Sequence, residues 1–504
     1  MRNVLEWLEA SAERVPDKVA VADENAQLTF AELLDRAQKA GSYVARRSAP
    51  CTPVALLARK SVSLLAAMMG VVYARGCYCV LDERQPEARL QSIVDTLGPT
   101  IVLADAEHRD QALAAFAGKP VSVESLEDAL ASDVDSKLLA ELREDALDVD
   151  PLYINFTSGS TGTPKGVAVG HRSVIDFIGQ FTSIFDICED DRIGNQAPFD
   201  FDVSVKDIYS TLATGATMHL IPREYFSVPV QLMDFLCDRQ ITVCTWAVSA
   251  LCFVSIMGGL DYRLPESIRQ VIFSGEIMPV KQLNVWKAHL PNARYVNVYG
   301  PTEITCNCTY YIIDREFERG DTIPMGRSFP NEKVFLVSED GALVTEDEPG
   351  EPGEIYVGGT ALALGYWNMP ERTAEAFVQN PLNTTYNEIV YKTGDLARYD
   401  EDGNLVYIGR ADHQIKHMGQ RIELGEIETA AQSISQVERA CCVYNAKKKR
   451  IVMFYSGAAG KDELVDQLRE KLPSFMVPNK TVQLDVMPLT KNGKIDRTEL
   501  AKLA

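Results

Sequence analysis

A chain of 504 residues is longer than a single hydrophobic core usually organises, so two or more units are expected. A hydrophobic content of 46% with 24% charged residues is that of a soluble globular protein. The net charge of −21 argues against nucleic acid as a partner, because phosphate binding needs a basic surface.

At the N-terminus, Val4, Leu5, Trp7 and Leu8 interleave with Glu6, Glu9 and Glu13, a pattern for an amphipathic helix rather than a secretory signal. The longest apolar stretch, 64–73, falls short of the roughly 18 residues of a membrane span. No membrane insertion is expected, and a cytoplasmic location is. Helices over 28–46, 61–74 and 88–97 alternate with strands over 54–58, 76–81 and 100–103, which implies βαβ units around a parallel sheet. The acidic segment 122–150 reads as a solvated connector.

Residues 152–154 form an apolar strand that runs into FTSGSTGTPKG (156–166). Gly159, Gly162 and Gly166 allow backbone conformations that a Cβ hinders. Free amides in such a turn form a concavity for anions. Thr157, Ser158, Ser160, Thr161 and Thr163 add donors, and Lys165 adds a positive charge. Together they suit a polyphosphate, with an ordinary Gly/Ser loop as the bland alternative. The G-x-x-x-x-G-K-[ST] pattern is not met, because Gly166 and Val167 follow Lys165.

A second alternating run follows. Helices are expected over 174–185, 203–212 and 230–239, and extended segments over 193–199, 217–221, 242–245, 271–274 and 295–298. Past residue 330, strands at 334–337, 354–359 and 405–409 with turns at 339–341 and 401–403 suggest a β-rich unit. A last segment carries helices over 424–433 and 462–472 and strands over 440–444 and 451–455, enough for a small α+β domain. The division is placed at 1–411 and 412–504. The 11 cysteines include close pairs at Cys77/Cys79, Cys306/Cys308 and Cys441/Cys442. None has zinc-ligand spacing, so buried free thiols are expected.

The loop and six further strings, in order, carry a resemblance. They are FDFDVSVKD (199–207), SGE (274–276), NVYGPTEIT (297–305), YKTGDLARY (391–399), GRADHQIKHMGQRIELGEIE (409–428) and PLTKNGKIDR (488–497). The chain resembles the adenylate-forming enzymes, which activate carboxylates as acyl-AMP, over about residues 28 to 497. It is most similar to D-alanine–carrier protein ligases and to amino-acid adenylation domains of nonribosomal peptide synthetases. The resemblance implies a large N-terminal domain of α/β subdomains plus a β-rich unit, and a small mobile C-terminal domain.

It also implies ATP and Mg²⁺ as cofactors. Thr157, Ser158, Gly159, Ser160, Thr161 and Gly162 would cradle phosphate with Lys165. Asn297, Val298, Tyr299, Gly300, Pro301, Thr302, Tyr407 and Arg410 would line the nucleotide. Asp395 would accept the ribose hydroxyls, with a helix N-cap as its bland alternative. Glu303 would hold Mg²⁺, a hard cation that prefers oxygen ligands, or else be a surface carboxylate. Lys494 would bridge the substrate carboxylate and the α-phosphate, or be a solvated loop lysine. Asp412 matches the hinge between domains.

For the substrate, the resemblance assigns Asp202 to the α-ammonium of an amino acid. Val203, Lys206, Thr245, Ile272, Ser274, Val298, Cys306 and Asn307 would form the side-chain pocket. Lys206 and Ser274 depart from the D-alanine ligases, which usually carry a thioether and a thiol there. Lys206 either receives a polar or acidic substrate group, pairs with Asp200, Asp202 or Asp207, or reaches past the pocket to water. The expected activity is ATP-dependent loading of an amino acid, D-alanine first, onto the phosphopantetheine thiol of a separate carrier protein, for teichoic acid D-alanylation. Alternatives are a peptide-synthetase-type enzyme for another amino acid, an acyl-CoA synthetase, and a non-catalytic nucleotide-binding scaffold.

Overall fold

The structure is a computed structural model that describes residues 1–158, 163–318, 321–411, 414–488 and 495–504. Three sheets make up the large N-terminal part, and a smaller α+β unit follows. In the first sheet, Pro53–Leu57 pairs in parallel with Cys77–Leu81 on one side and Ile101–Ala104 on the other. Every residue of these three strands is buried, as parallel strands covered on both faces require. The helix Val62–Tyr73 accounts for the long apolar stretch and has almost no wet face. It packs on the helix Phe30–Ala45 at a contact of small residues. A Cβ on Gly41 would stand 2.5 Å from that of Tyr73, and one on Gly70 would stand 2.5 Å from that of Ala40.

Pro151–Thr157 lies beside Cys77–Leu81 and pairs antiparallel with Lys165–Gly170, Thr157 opposite Lys165. Thr157 and Lys165, on either side of the hydroxyl-rich stretch, thus face each other at the sheet's end. The second sheet carries six parallel strands among the described residues: Val19–Ala22, Arg192–Asn195, Thr217–Leu220, Val243–Ala247, Gln270–Ser274 and Arg294–Tyr299. Their C-terminal ends deliver Ser274 and Tyr299 to one rim, the crevice where open α/β sheets hold ligands. The third sheet is antiparallel and β-rich, as read from 334–337, 354–359 and 405–409.

The segment 122–150 is not a solvated connector. Ser122–Ser125 adds a parallel strand to the first sheet, and the helices Leu126–Leu130 and Ser136–Glu144 follow. Leu126, Ala129 and Leu139 are buried. The overlooked signals were the caps, Ser125 accepting from the Asp128 amide and Asp135 from that of Leu138.

In the small unit, helix Leu424–Gln432 packs on a sheet in which Arg450–Gly457 lies between antiparallel Val437–Asn445 and parallel Lys480–Gln483. Preceding it, the hairpin Gln414–His417/Gln420–Glu423 reaches into the large part. The Gly419 amide donates to Glu276 Oε1 at 2.7 Å, and Arg89 forms a buried ion pair with Glu426. The boundary expected at 411/412 adjoins residues 412 and 413, so Asp412 lies outside the described residues.

Candidate active site

Glu303 sits in a single helical turn, Thr302–Ile304, after the strand Arg294–Tyr299, and is fully buried. It is no surface carboxylate. Its Oε2 accepts from Arg421 Nη1 at 2.8 Å and its Oε1 from Tyr366 hydroxyl at 2.8 Å. Burial pushes its pKa up, but Arg421 and Lys165 outweigh that and hold it at about 2. Lys165, opposite Thr157, lies 3.8 Å from Glu423 Oε1, with its ammonium 5.2 Å from the Tyr366 ring centre. Burial, then Arg421, lowers its pKa. Ser158 Oγ donates to the Arg421 carbonyl at 2.8 Å and accepts from the Glu423 amide at 3.1 Å. Gly159, Ser160, Thr161 and Gly162 lie outside the described residues, as does Lys494.

Asp395 belongs to the long strand Ile389–Tyr399, so it does not cap a helix. Its carboxylate accepts from the Tyr299 hydroxyl at 2.6 Å and from Arg410 Nη1 at 2.9 Å. Both members of that ion pair are buried, Arg410 at 8% and Asp395 at 2% side-chain exposure, so Arg410 is not a surface charge. Asn297, Val298, Tyr299, Tyr407 and Arg410 line a cavity of about 580 Å³. The Lys416 ammonium stands 4.9 Å from the Tyr299 ring centre and 5.8 Å from that of Tyr407. A cavity walled by Tyr299 and Tyr407, with both Tyr299 and Arg410 bonded to the Asp395 carboxylate, suits a nucleoside. The buried hydroxyl of Thr157 has no hydrogen-bond partner among the described residues, an acceptor-seeking group beside the same loop.

Asp202, Val203, Ser274, Cys306 and Asn307 line a smaller cavity of about 140 Å³, together with Thr157, Ser158 and Gly300 to Thr302. Asp202 has no ion pair within 4.0 Å among the described residues, and burial raises its pKa. The turn at Gly300 lies tight on this pocket. A Cβ there would meet Asn307 Cα at 2.5 Å and the Cys306 carbonyl oxygen at 2.7 Å. Lys206, Thr245 and Ile272 stand behind the wall rather than on it, and Val298 faces the larger cavity. Lys206 is 1% exposed and donates to Asn307 Oδ1 at 3.0 Å. It forms no ion pair with Asp200, Asp202 or Asp207 among the described residues, and it does not reach water. Thr245 donates to Asp207, which also accepts from Asn195 Nδ2 at 2.8 Å.

Arg421, Lys416 and Tyr366 were not singled out from the sequence. Arg421 and Lys416 sit in the string 409–428, on opposite strands of the hairpin and directly paired. That alternation was the available signal, because in a hairpin paired residues share a face. Nothing local marks Tyr366.

The donor set around Glu303 suits Mg²⁺, which commonly takes one or two carboxylates and completes its shell with water and substrate phosphate. Each Glu303 oxygen already accepts one hydrogen bond in this arrangement, and the Arg421 guanidinium 2.8 Å away opposes a second positive charge there. Among the described residues no group of three or more His, Cys, Asp or Glu could hold a metal, so Glu303 would act as a single protein ligand.

The family model described as "AMP-binding enzyme" matches residues 8–367, and that of the "AMP-binding enzyme C-terminal domain" matches 426–494. Gramicidin S synthase 2 of Brevibacillus brevis is 34% identical over 100% of this chain, which spans only 11% of that relative. The solved structure of IdnL1 shares 28% identity with a TM-score of 0.82, covering 97% of this chain and 99% of that one. The Vibrio cholerae adenylation domain AlmE, solved with glycyl-adenosine-5'-phosphate, superposes with a TM-score of 0.85 over 100% of this chain and 98% of its own. At 22% identity that likeness speaks for the fold. No described helix is long and apolar enough to cross a membrane.

Proposed function

Since the chain belongs to the AMP-binding enzyme family, we propose that it joins an amino acid to AMP and passes it to a thiol on a separate carrier protein. Asp202 is the observation that carries the amino-acid part. Asp202 lines a cavity with no cation within ion-pair distance among the described residues, and a substrate α-ammonium would supply that close partner. Acyl groups without an amine give it none, which counts against the acyl-CoA synthetase.

In this reading the amino-acid carboxylate attacks the α-phosphorus of ATP and pyrophosphate leaves. Asp395 and Arg410 orient the ribose, the aromatic-walled cavity takes the base, and Lys165 holds the outer phosphates near Thr157 and Ser158. Lys494 balances charge at the reacting phosphate. Catalysis then rests on positioning and electrostatics rather than on a protein nucleophile. Mg²⁺ held at Glu303 would supply positive charge to the phosphates when bound. The hairpin carrying Arg421 occupies Glu303 in the present arrangement, which fits a step after pyrophosphate has gone. In that step the carrier thiol attacks the acyl carbon and AMP leaves.

A small pocket agrees with D-alanine and its loading for teichoic acids. A synthetase for a cell-wall-independent peptide agrees equally well with the kinship to gramicidin S synthase. The test is amino-acid-dependent ATP–pyrophosphate exchange followed by intact-mass analysis of a phosphopantetheinylated carrier. Exchange and a carrier mass increased by one aminoacyl group are expected. Exchange with a fatty acid or other simple carboxylate, and none with amino acids, would contradict the reading.

A further inference from the structure

The orientation of one amide in the smaller cavity follows from chemistry. Lys206 Nζ lies 3.0 Å from Asn307 Oδ1. An ammonium has donors only, so the amide oxygen must face it and the NH₂ must face away. The Cys306 thiol is 3.5 Å from the same oxygen. Lys206 and Asn307 are each 1% exposed, so neither can turn out to solvent.

Asn307 Nδ2 donates to nothing among the described residues, yet it is not one of the sealed polar atoms. Since Asn307 lines the cavity, that nitrogen opens onto it. Ser274 Oγ is in the same position: it lines the cavity, has no partner among the described residues and is not sealed off. The cavity that holds Asp202 therefore also presents the uncommitted Asn307 NH₂, a donor only, and a Ser274 hydroxyl free to donate beside it. An aliphatic side chain placed there would leave both unpaired, at a cost that discriminates strongly.

We infer that the amino acid taken here has a short side chain ending in a carbonyl or carboxylate acceptor, received by Asn307 Nδ2 with Ser274 Oγ. Lys206 is a positioning residue: it pins the Asn307 oxygen and so keeps the NH₂ turned toward the substrate. Its buried charge also polarises that amide toward an anionic acceptor. The inference rests on the amino-acid reading above and narrows it away from alanine.

The experiment measures kcat/KM for ATP–pyrophosphate exchange with alanine, serine, asparagine and aspartate in both stereochemical forms. Wild-type protein is compared with Lys206→Met, Asn307→Asp and Ser274→Ala. For wild type, asparagine or aspartate is expected at least about tenfold above alanine, the scale of one lost buried hydrogen bond. Lys206→Met frees the amide to flip and lowers that ratio about tenfold, through KM rather than kcat. Asn307→Asp keeps a charged partner for Lys206 and lowers the ratio similarly, and with Ser274→Ala it carries the test where Lys206→Met fails to fold. Exchange dominated by alanine, or a ratio unmoved by Asn307→Asp and Ser274→Ala, overturns the inference while leaving amino-acid activation intact. Folded protein that exchanges with no amino acid overturns that activation reading, and the inference with it.

Discussion

Two carboxylates show how differently the same group is used. Glu303 is held charged by Arg421 and Lys165, whereas Asp202 faces its cavity without a cation within ion-pair distance among the described residues. Glu303→Gln would leave the Arg421 guanidinium buried without its counter-charge, a loss of about 3–5 kcal/mol. Urea unfolding of the variant measures it, and exchange should fall at least about a hundredfold. The folded pKa of Glu303, about 2, lies below its ordinary 4.5. Its contribution is therefore complete above pH 4.5 and is lost as pH falls toward 2. Asp202→Asn should raise the KM for the amino acid about a hundredfold or more, with nucleotide affinity measured separately by calorimetry. An unchanged KM would remove Asp202 from the substrate site.

Among the elements, the helix His171–Ile184 begins with a buried histidine whose Nδ1 accepts from the Val4 amide at 3.4 Å. Burial, then Arg143, lowers its pKa from 6.5 to about 4. A depressed histidine withholds nothing above pH 6.5 and costs stability progressively as pH falls from 6.5 to 4. His171→Asn should recover up to about 3 kcal/mol of that acid-induced loss, read from urea melts at pH 7 and pH 4.5. The helix Phe30–Ala45 opens with a full capping box between Thr29 and Glu32. Thr29→Ala should cost about 1 kcal/mol. The long periodic helices and the apolar parallel strands were legible because one face or both are dictated by burial. The segment 122–150 was not, since its helices are short and its strand Ser122–Ser125 has no buried residue. Asp395 had two local readings, and its strand became evident only through pairing with Leu405–Arg410.

In the whole molecule, the sites divide by sequence separation. Thr157 to Lys165, Gly300 to Glu303 and Asp202 to Lys206 are each local, and their residue types stood out in the string. The contacts that set their charge are not local: Arg421 reaches Glu303 across 118 positions, and Lys206 meets Asn307 across 101. The first depends on how the small unit's hairpin enters the large part. The second depends on how the helix Ser204–Thr214 packs beside the strand Arg294–Tyr299 and the turn after it. Periodicity encodes neither. In this arrangement Arg421 occupies Glu303. In our reading a cation with phosphate would take its place for the adenylating step, so the two proposed half-reactions would use different arrangements.

Activation of an amino acid as its adenylate is tested most directly by rapid-quench mass spectrometry of the purified chain. The chain is mixed with ATP, Mg²⁺ and an amino-acid panel, and enzyme-bound products are trapped in a single turnover. One aminoacyl-AMP is expected, with pyrophosphate released in equal amount, and its loss in Asp202→Asn. ADP and phosphate as products, or no adenylate with any amino acid on folded protein, would contradict that activation.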